Sequence, residues 1–205
     1  MIHLSIYRNQ LVHVFIEDAI VFVAFKVLAA ERGTSTVRFG ELAKRVAFLR
    51  ELLQIEFVLP PLQKGDTFEQ DAHRMIHASL HHGVLYQTVN GSHSNYDSEL
   101  SIYERSSEDH FLHRFLLSLV LPFLETYLFV FTSLCVWITH CECKRTQLRN
   151  QLQWLARRLY TDGLLDHAET ANIVSLDYAL RVAGEMGGVS GEKVLCVAVP
   201  TRLEE

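Results

Sequence analysis

The sequence predicts a mainly α protein of the α+β class, a helical bundle-like domain with two short β-hairpins in winged-helix-like arrangements. Apolar residues recur at helical spacing through most of the chain. Glycines stand where predicted helices end, at Gly83 and again at Gly187–Gly188. After each of these breaks, the pattern changes to a short run rich in β-branched residues. Helices followed by a hairpin in both halves favour two winged-helix-like units.

The composition is that of a globular protein. The chain has 205 residues, of which 49% are apolar and 21% are charged. These values suit one domain or two small ones, and they exclude a disordered chain and a collagen. A net charge of −5 argues against nucleic-acid binding, which needs a concentrated basic face. Four cysteines are too few for a disulfide framework and indicate reduced thiols inside a cell.

Three helices are predicted in the first half. Asn9 is an N-cap candidate for a first helix, Asn9–Ala30, because an apolar helical face follows it. A second helix is predicted over Val37–Phe57. A third opens on a D-x-x-E capping box, Asp66 with Glu69, and ends before Gly83, which suits the C′ position.

The first hairpin follows this third helix. Val84–Val89 predicts a strand, Asn90–Gly91 a turn, and Leu100–Tyr103 a strand that pairs back. The polar stretch Ser92–Ser98 is then the wing between the two strands.

The second half repeats the order. A helix capped by Ser106 or Ser107 is predicted to run toward Thr139 and to bend near Pro122. Lys144–Tyr160 predicts the next helix, which ends at Asp162–Gly163.

A second D-x-x-E box, Asp166 with Glu169, precedes the last predicted helix, Ser175–Met186, and a hairpin over Val189–Val199. We therefore predict a region 1–140, with the first winged-helix-like unit and the long Pro-bent helix, and a region 141–205, with the C-terminal helices and the second hairpin.

Two apolar segments raise the question of a membrane. Asn9–Ala30 contains three charged residues, and Phe111–Thr139 is interrupted by Arg114, Pro122 and Glu125. The longest charge-free stretch, Thr126–Thr139, has 14 residues, which favours a buried core helix over a membrane span. Its many aromatic residues would also suit a helix in the headgroup layer. The polar start of the sequence does not resemble a signal peptide.

A candidate catalytic pair is His13 with Asp18, which spell H-x4-D. In glycerolipid acyltransferases this spacing places a histidine base beside an orienting aspartate. Here the pair lies inside a predicted apolar helix, and no glycine-containing basic block for a phosphate follows it. We therefore predict that these two residues are not catalytic.

Histidines recur at helical spacing at His73, His77 and His81, with His82 beside them. Three ligands on one straight helix span about 12 Å, too far for a single zinc ion. The pair His73 and His77 could share a metal, but no acidic partner is evident, so a polar helix face is favoured.

The sequence His140-Cys141-Glu142-Cys143 could supply two thiolates and an imidazole to zinc. The other half of such a site is missing, and free thiols at a helix end are favoured. Walker and G-x-S-x-G motifs are absent from the sequence. No catalytic residue, metal site or cofactor is therefore predicted.

Several short segments of the sequence resemble, in the same order, segments of the glycerol-3-phosphate acyltransferase family, of the mitochondrial type and its bacterial relatives. Tyr7-Arg8-Asn9 and Pro122–Tyr127 carry the most specific matches. The full set of similar segments is Leu4–Phe15, Phe48–Phe57, Phe68–Glu69, Leu121–Tyr127, Gln153–Gly163 and Ser175–Val189. Gln87–Ser107 and Leu128–Arg145 match the family poorly.

The resemblance implies a function for the whole chain. The family's catalytic H-x4-D and phosphate-binding blocks lie before the Tyr7-Arg8-Asn9 word, so the chain resembles the non-catalytic C-terminal portion of such an enzyme, a fragment or short product. Its expected partners are the acyltransferase catalytic domain and a membrane surface. The resemblance implies a membrane-associated protein, with the mitochondrial outer membrane as the expected location. Acyl-CoA and glycerol-3-phosphate would be bound only by the full-length enzyme of phospholipid and triacylglycerol synthesis.

Tyr7, Arg8 and Asn9 are the predicted docking residues. If Asn9 caps the first helix, Arg8 lies next to the positive end of the helix dipole, where a cation is unfavourable unless an acidic group faces it. We therefore predict that Arg8 pairs with a carboxylate or with the phosphate-binding side of the catalytic domain. The alternatives are a solvated surface arginine at Arg8 and, for the chain as a whole, a stand-alone winged-helix-like protein-interaction module.

Overall fold

The computed structural model describes residues 2–88, 98–102, 107–137, 143–185 and 193–194, and within these the side chains of 12–87, 98–102, 107–136 and 144–185. The chain divides into two compact units, Met1–Val120 and Leu121–Glu205. The boundary between the units falls inside a long helix. The predicted division at residue 140 follows the end of that helix instead, and it stays a prediction.

Unit 1 has a helix-rich order that ends in a small sheet. Its elements are α1 (Ile2–Arg32), β1 (Val37–Arg38), α2 (Phe39–Leu53), α3 (Phe68–His81), β2 (Tyr86–Thr88), β3 (Glu99–Ser101) and the first part of α4 (Ser107–Trp137).

The central element of unit 1 is α1. Every residue of Ala19–Phe25 is at most 2% exposed, so this part of the helix is buried on all sides rather than along one stripe. Helices α2 and α3 pack against α1 and against each other. Burial of this kind, about 25 cal/mol per Å² of apolar surface, is the main stabilising contribution to the unit.

The sheet of unit 1 has the strand order β1-β3-β2, and both pairings are antiparallel. Leu100 of β3 lies opposite Gln87 of β2 on one side and Val37 of β1 on the other. The predicted hairpin is thereby confirmed within the described residues, whereas the turn Asn90–Gly91 and most of the Ser92–Ser98 wing lie outside them. The prediction of helix from Val37 was wrong, because Val37 pairs with Leu100 as a strand.

Two helix starts also differ from the prediction. Helix α1 begins at Ile2, so Asn9 lies inside it and does not cap it. Helix α3 begins at Phe68, and its capping box joins Thr67 and Gln70, not Asp66 and Glu69. The backbone explains the shift, since Thr67 has the extended conformation that a cap requires and its hydroxyl accepts from the Gln70 N–H. The end at Gly83, with φ of 78°, is as predicted.

Unit 2 repeats the order of elements with different side chains. After the second part of α4 come β4 (Cys143–Lys144), α5 (Arg145–Thr161), a 3-10 helix (Ala168–Ala171), α6 (Ile173–Glu185) and β5 (Lys193–Val194). Both units therefore begin with a long helix, a two-residue strand and two further helices, with the 3-10 helix inserted in unit 2. Unit 1 then has two strands, β2 and β3, and unit 2 has one described strand, β5. The predicted mainly α arrangement with some β structure is confirmed. The predicted end of α5 is confirmed, since Asp162 is its C-cap and Gly163 has φ of 73°.

The end of unit 2 contains one pairing that the sequence did not predict. Strand β5 pairs with β4, from the start of the unit, while the rest of the predicted Val189–Val199 hairpin lies outside the described residues. Asp166 and Glu169 form no capping box, because a 3-10 helix with His167 as its N-cap residue occupies that place. Pro122 lies within α4, as predicted. The expected bend there stays a prediction.

Candidate functional site

Asp18 on α1 is the buried centre of a polar contact with the end of α3. The Ser79 hydroxyl donates to Asp18 Oδ1 at 2.6 Å, and His82 Nδ1 lies 2.8 Å from Asp18 Oδ2. Asp18 is 7% exposed and Ser79 is fully buried, whereas the His82 ring is half-exposed. A buried carboxylate is stable only when its oxygens are paired, so this contact fixes α3 against α1.

A chain of charges runs beside it across three helices. Arg50 on α2 donates to Asp71 on α3 at 2.8 Å and to the Pro60 carbonyl at 2.6 Å. Arg74, one turn after Asp71, donates to it at 2.9 Å and to both carboxylate oxygens of Glu17 on α1. The bidentate contact with Glu17 makes the pair well oriented. The neighbours Glu17 and Asp18 therefore both hold α3.

The charges shift the pKa values in this network. Burial alone would raise the pKa of Asp71, but the hydrogen bonds and positive charges of Arg50 and Arg74 outweigh burial and lower it. The hydrogen bond to Glu17 raises the pKa of Arg74, with Asp71 adding to the effect and burial opposing it. Both shifts favour the charged forms of Asp71 and Arg74, whose ion pairs hold the helices together.

The H-x4-D pair is not assembled as an active site. His13 is exposed, and the imidazole beside Asp18 belongs to His82, not His13. A general base acts with the carboxylate that orients it only when the two groups are within hydrogen-bond reach. Both oxygens of Asp18 are occupied by α3, so the arrangement is that of a structural carboxylate.

The histidine row of α3 packs on an aromatic ring. His73 and His77 lie 5.2 Å and 5.3 Å from the ring centre of Phe39, at the start of α2. Among the described residues, no group of three His, Cys, Asp or Glu side chains could hold a metal ion. Residues 138–142, with most of the His140–Cys143 motif, lie outside the described part.

Tyr7, Arg8 and Asn9 lie within the first turns of α1, and the structure describes their backbone as helical. Their side chains lie outside the described part. The expectation that Arg8 stands at the positive end of a helix dipole was wrong, because α1 begins at Ile2. A docking role for these residues is therefore a proposal that rests on the resemblance alone.

In unit 2, the Glu125 carboxylate binds the segment that begins the 3-10 helix. Glu125 on α4 accepts from the backbone N–H groups of Asp166 and His167, at 2.8 Å and 3.0 Å, and from the Thr170 hydroxyl at 2.7 Å. The His167 ring adds a contact of 3.1 Å. Glu125 thus caps the 3-10 helix from a distant element. The N-cap residue of that helix, His167, makes no capping hydrogen bond with its own side chain.

The pKa of Glu125 is lowered by this arrangement. Burial alone would raise it, but the backbone N–H of Asp166, the Thr170 hydroxyl and the His167 N–H and ring all favour the charged form. Sequence reasoning missed this residue, although Glu125 stands inside the Pro122–Tyr127 word. A single carboxylate in the otherwise uncharged stretch Phe115–Trp137 was the signal that could have found it.

Beside Glu125 lies an apolar groove of about 400 Å³ between α4, α5 and the residues after α5, all within unit 2. We call it the leucine groove. It is lined by Glu125, Leu128, Phe129, Thr132, Ser133, Val136, Leu155, Leu159, Leu164 and Leu165. Leu128, Val136 and Leu164 are 68%, 66% and 71% exposed, so the rim of the groove leaves large apolar side chains in solvent.

Helix α4 is the part of the described chain that is long and apolar enough to cross a membrane. Within its Ser107–Val136 segment, the most apolar 18-residue stretch has a mean hydropathy of 1.9, and half of that stretch is buried inside the structure. Length and composition alone are weak evidence, because core helices of soluble proteins meet the same criterion. The buried residues Val120, Tyr127 and Val130 agree with the core-helix expectation.

Comparison with known proteins gives one clear match. A family model described as the glycerol-3-phosphate acyltransferase C-terminal region covers residues 1–192. A search of the curated proteins finds none that matches the chain significantly. The family match spans both units and includes the Asp18 contact, the Arg50–Asp71–Arg74 chain and the Glu125 cap.

Proposed function

The chain belongs to the family of glycerol-3-phosphate acyltransferase C-terminal regions, and from that premise we propose that it is the non-catalytic C-terminal portion of such an enzyme. Its task is to pack on the catalytic domain and support it. The acyl transfer from acyl-CoA to glycerol-3-phosphate, the first step toward phospholipid and triacylglycerol, takes place on that domain. The family match supports a larger acyltransferase context for the chain.

The observation that carries the non-catalytic role is the environment of Asp18. An aspartate that orients a catalytic histidine must present one oxygen to that histidine. The oxygens of Asp18 instead bind Ser79 and His82. His13 is exposed and takes no part in that contact. The H-x4-D spacing in this chain is then a coincidence of helix α1.

Exposed apolar side chains of unit 1 support a protein partner. Val14, Val58 and Phe111 are 68%, 78% and 75% exposed, and Phe48 is 47% exposed. Large apolar side chains left in solvent are typical of surfaces that another domain covers. We propose that the catalytic domain covers part of this surface, with Tyr7, Arg8 and Asn9 as docking residues at the start of α1.

Membrane association and a place on the mitochondrial outer membrane are further parts of the proposal. They follow from the resemblance to the mitochondrial type of the family. The high hydropathy of α4 and the exposed rim of the leucine groove support contact with lipid.

A second candidate function is a stand-alone interaction module. The observation that favours it is the repeated order of helix, strand, helix, helix, strand in the two units, an order that resembles winged-helix domains. Such a module would leave the activity of an acyltransferase catalytic domain unchanged.

The experiment that tests the non-catalytic role is an acyl-transfer assay on the purified chain with glycerol-3-phosphate and labelled palmitoyl-CoA. We expect no turnover above the protein-free background. The matched variants are His13→Ala and His77→Ala, both exposed histidines on helices. Turnover that His13→Ala abolishes and His77→Ala leaves intact would overturn the proposal.

A further inference from the structure

The exposed side of α5 combines an unusual set of side chains. Helix α5 has no acidic residue and carries four arginines, which are Arg145, Arg149, Arg157 and Arg158. Trp154, in the middle of the exposed side, is 68% exposed. Arg157 and Arg158 follow three and four residues later, so they lie on the same side of the helix as the indole. We call Trp154, Arg157 and Arg158 the α5 face.

Three of the four arginines already have partners inside the unit. Arg149 pairs with Asp177 at 3.0 Å, and Arg145 donates to the Asp177 carbonyl at the same distance. Arg158 pairs with Asp162 at the end of the helix. Among the residues that the structure describes, no ion pair is formed by the exposed guanidinium of Arg157. The α5 face therefore presents positive charge to solvent, in a chain whose net charge is −5.

Arg157 also lines an open cavity on the surface of unit 2. Tyr160, Thr161 and Asn172 share this cavity of about 560 Å³, and Ala168 and Ala171 complete it. The Asn172 side-chain oxygen accepts from the Val174 N–H, which leaves the amide nitrogen as a donor. The Thr161 hydroxyl already donates to the Arg157 carbonyl at 2.9 Å, so the donors left for a ligand are the Arg157 guanidinium, the Tyr160 hydroxyl and the Asn172 amide. One guanidinium with a neutral hydroxyl and an amide is a donor set that suits a phosphate group.

The apolar component lies on the other side of the same helix. Leu155 and Leu159 of α5 line the leucine groove, whose rim residues Leu128, Val136 and Leu164 are exposed. By helical periodicity, Trp154 stands between the groove on one side and the Arg157 cavity on the other. Around α5 the surface is thus aliphatic at Leu155 and Leu159. It next carries Arg158, which is paired with Asp162, and the Trp154 indole, and it ends at the Arg157 guanidinium beside its cavity.

We propose that the α5 face docks unit 2 on the surface of a membrane that contains anionic lipids, with Trp154 in the headgroup layer, Arg157 on a lipid phosphate and the rim of the leucine groove against acyl chains. The order of these groups matches the change from hydrocarbon to headgroup across a membrane interface, where Trp, Tyr and Arg are enriched. The charge of Arg157 is complementary to lipid phosphate. The inference deepens the proposed membrane association and rests on it.

The test is tryptophan fluorescence of the whole chain. It has two tryptophans, so Trp137→Phe leaves Trp154 as the single reporter. The probe is a vesicle of phosphatidylcholine with about 30% phosphatidylserine, whose surface potential is negative. We expect the emission of Trp154 to shift to shorter wavelength on titration with these vesicles, and to shift less with vesicles of phosphatidylcholine alone. Lipids brominated near the headgroup should quench it.

Two matched variants locate the contact. Arg157→Ala in the same background should weaken vesicle partitioning about fivefold, since one cation near an anionic surface contributes about that factor. Lys44→Ala removes an exposed cation from helix α2 of unit 1 and should leave partitioning unchanged. Leu164→Asp should lower partitioning, whereas Val58→Asp, an equally exposed apolar position in unit 1, should not.

Several outcomes would overturn the inference. The first is an emission of Trp154 that no vesicle changes. The second is an equal effect of Arg157→Ala and Lys44→Ala. A shift that depends on protein concentration without lipid would assign the face to a second copy, and a shift produced by the catalytic domain without lipid would assign it to a protein partner. A chain that supports acyltransferase activity without binding vesicles would remove this inference and leave the supporting role intact.

Discussion

Asp18 Oδ2 on α1 and His82 Nδ1 at the end of α3 lie 2.8 Å apart, although the two residues are 64 positions apart in the sequence. The contact gives Asp18 a structural role, since its other oxygen accepts from the buried Ser79 hydroxyl. The catalytic-looking pair His13 and Asp18 is thereby separated into an exposed histidine and a buried helix-packing carboxylate. The predictions below follow from this and the other polar contacts.

Removal of the Asp18 carboxylate should destabilise unit 1. Asp18→Ala leaves the buried Ser79 hydroxyl without its acceptor, which costs about 2 kcal/mol of unfolding free energy. His13→Ala on the exposed side of the same helix should change stability by less than about 0.5 kcal/mol. Urea unfolding followed by circular dichroism measures both. Equal stabilities for the two variants would contradict the structural role of Asp18.

Replacement of Arg50 should lower the free energy of unfolding far more than replacement of an exposed arginine of the same helix. Arg50→Ala leaves Asp71 buried with only Arg74 as its cation and frees the Pro60 carbonyl, for an expected loss of about 3 kcal/mol. Arg45 pairs with Glu31 in solvent. Arg45→Ala should therefore lower the free energy of unfolding by less than about 1 kcal/mol. The midpoints of denaturant unfolding compare the two. An Arg45→Ala loss as large as that of Arg50→Ala would show that burial does not set the effect.

The fold was predictable where the period of apolar residues is strong, as in α2, α5 and α6, and where a glycine must adopt positive φ, as at Gly83 and Gly163. The two-residue strands β1 and β4 were not, because they are too short for an alternating pattern and form only by pairing with distant residues. The capping box was missed by one residue, since Asp66 with Glu69 and Thr67 with Gln70 fit the same motif and only the backbone conformation distinguishes them.

The polar contacts were harder to predict than the helices. Glu125 caps a 3-10 helix 41 residues later in the chain, and no local signal specifies that partner. Asp18 was identified by its spacing to His13, whereas its actual partners follow from the packing of α3 on α1. Sequence patterns report neighbours along one helix, and these contacts are made between elements.

Glu125 should make the stability of unit 2 depend on acid pH. Its pKa is lower in the folded state than the ordinary value of 4.5, so the folded protein binds its proton less readily than the unfolded chain does. The stabilisation is complete above the ordinary pKa and is lost as pH falls through the folded pKa. Glu125→Gln should therefore cost about 2 kcal/mol at neutral pH, from weakened charge-assisted hydrogen bonds.

The difference between the parent chain and Glu125→Gln should shrink as pH falls below the ordinary pKa of 4.5 and then through the lowered pKa of the folded state. Unfolding free energies at a series of pH values measure it. Glu185→Gln is the control, because Glu185 makes only an exposed contact with Arg181. A difference between parent and Glu125→Gln that stays constant with pH would contradict the assignment.

The docking role of Tyr7, Arg8 and Asn9 predicts a defect outside this chain's own fold. In a full-length enzyme, Arg8→Ala should lower acyltransferase activity or membrane-bound yield, since it removes the cation proposed to meet the catalytic domain. Lys44→Ala on the exposed side of α2 should do neither. Activity and yield at the parent level for Arg8→Ala would end the docking proposal.

The most direct test of the central claim is the acyltransferase activity of an H-x4-D-containing catalytic domain of this family, expressed with and without this chain. We predict that the chain alone is inactive, that the catalytic domain alone is weakly active or insoluble, and that co-expression restores activity. The Asp18→Ala chain should restore less, since unit 1 is weakened, while His13→Ala should restore fully. A catalytic domain that is equally soluble and equally active without the chain would contradict the claim.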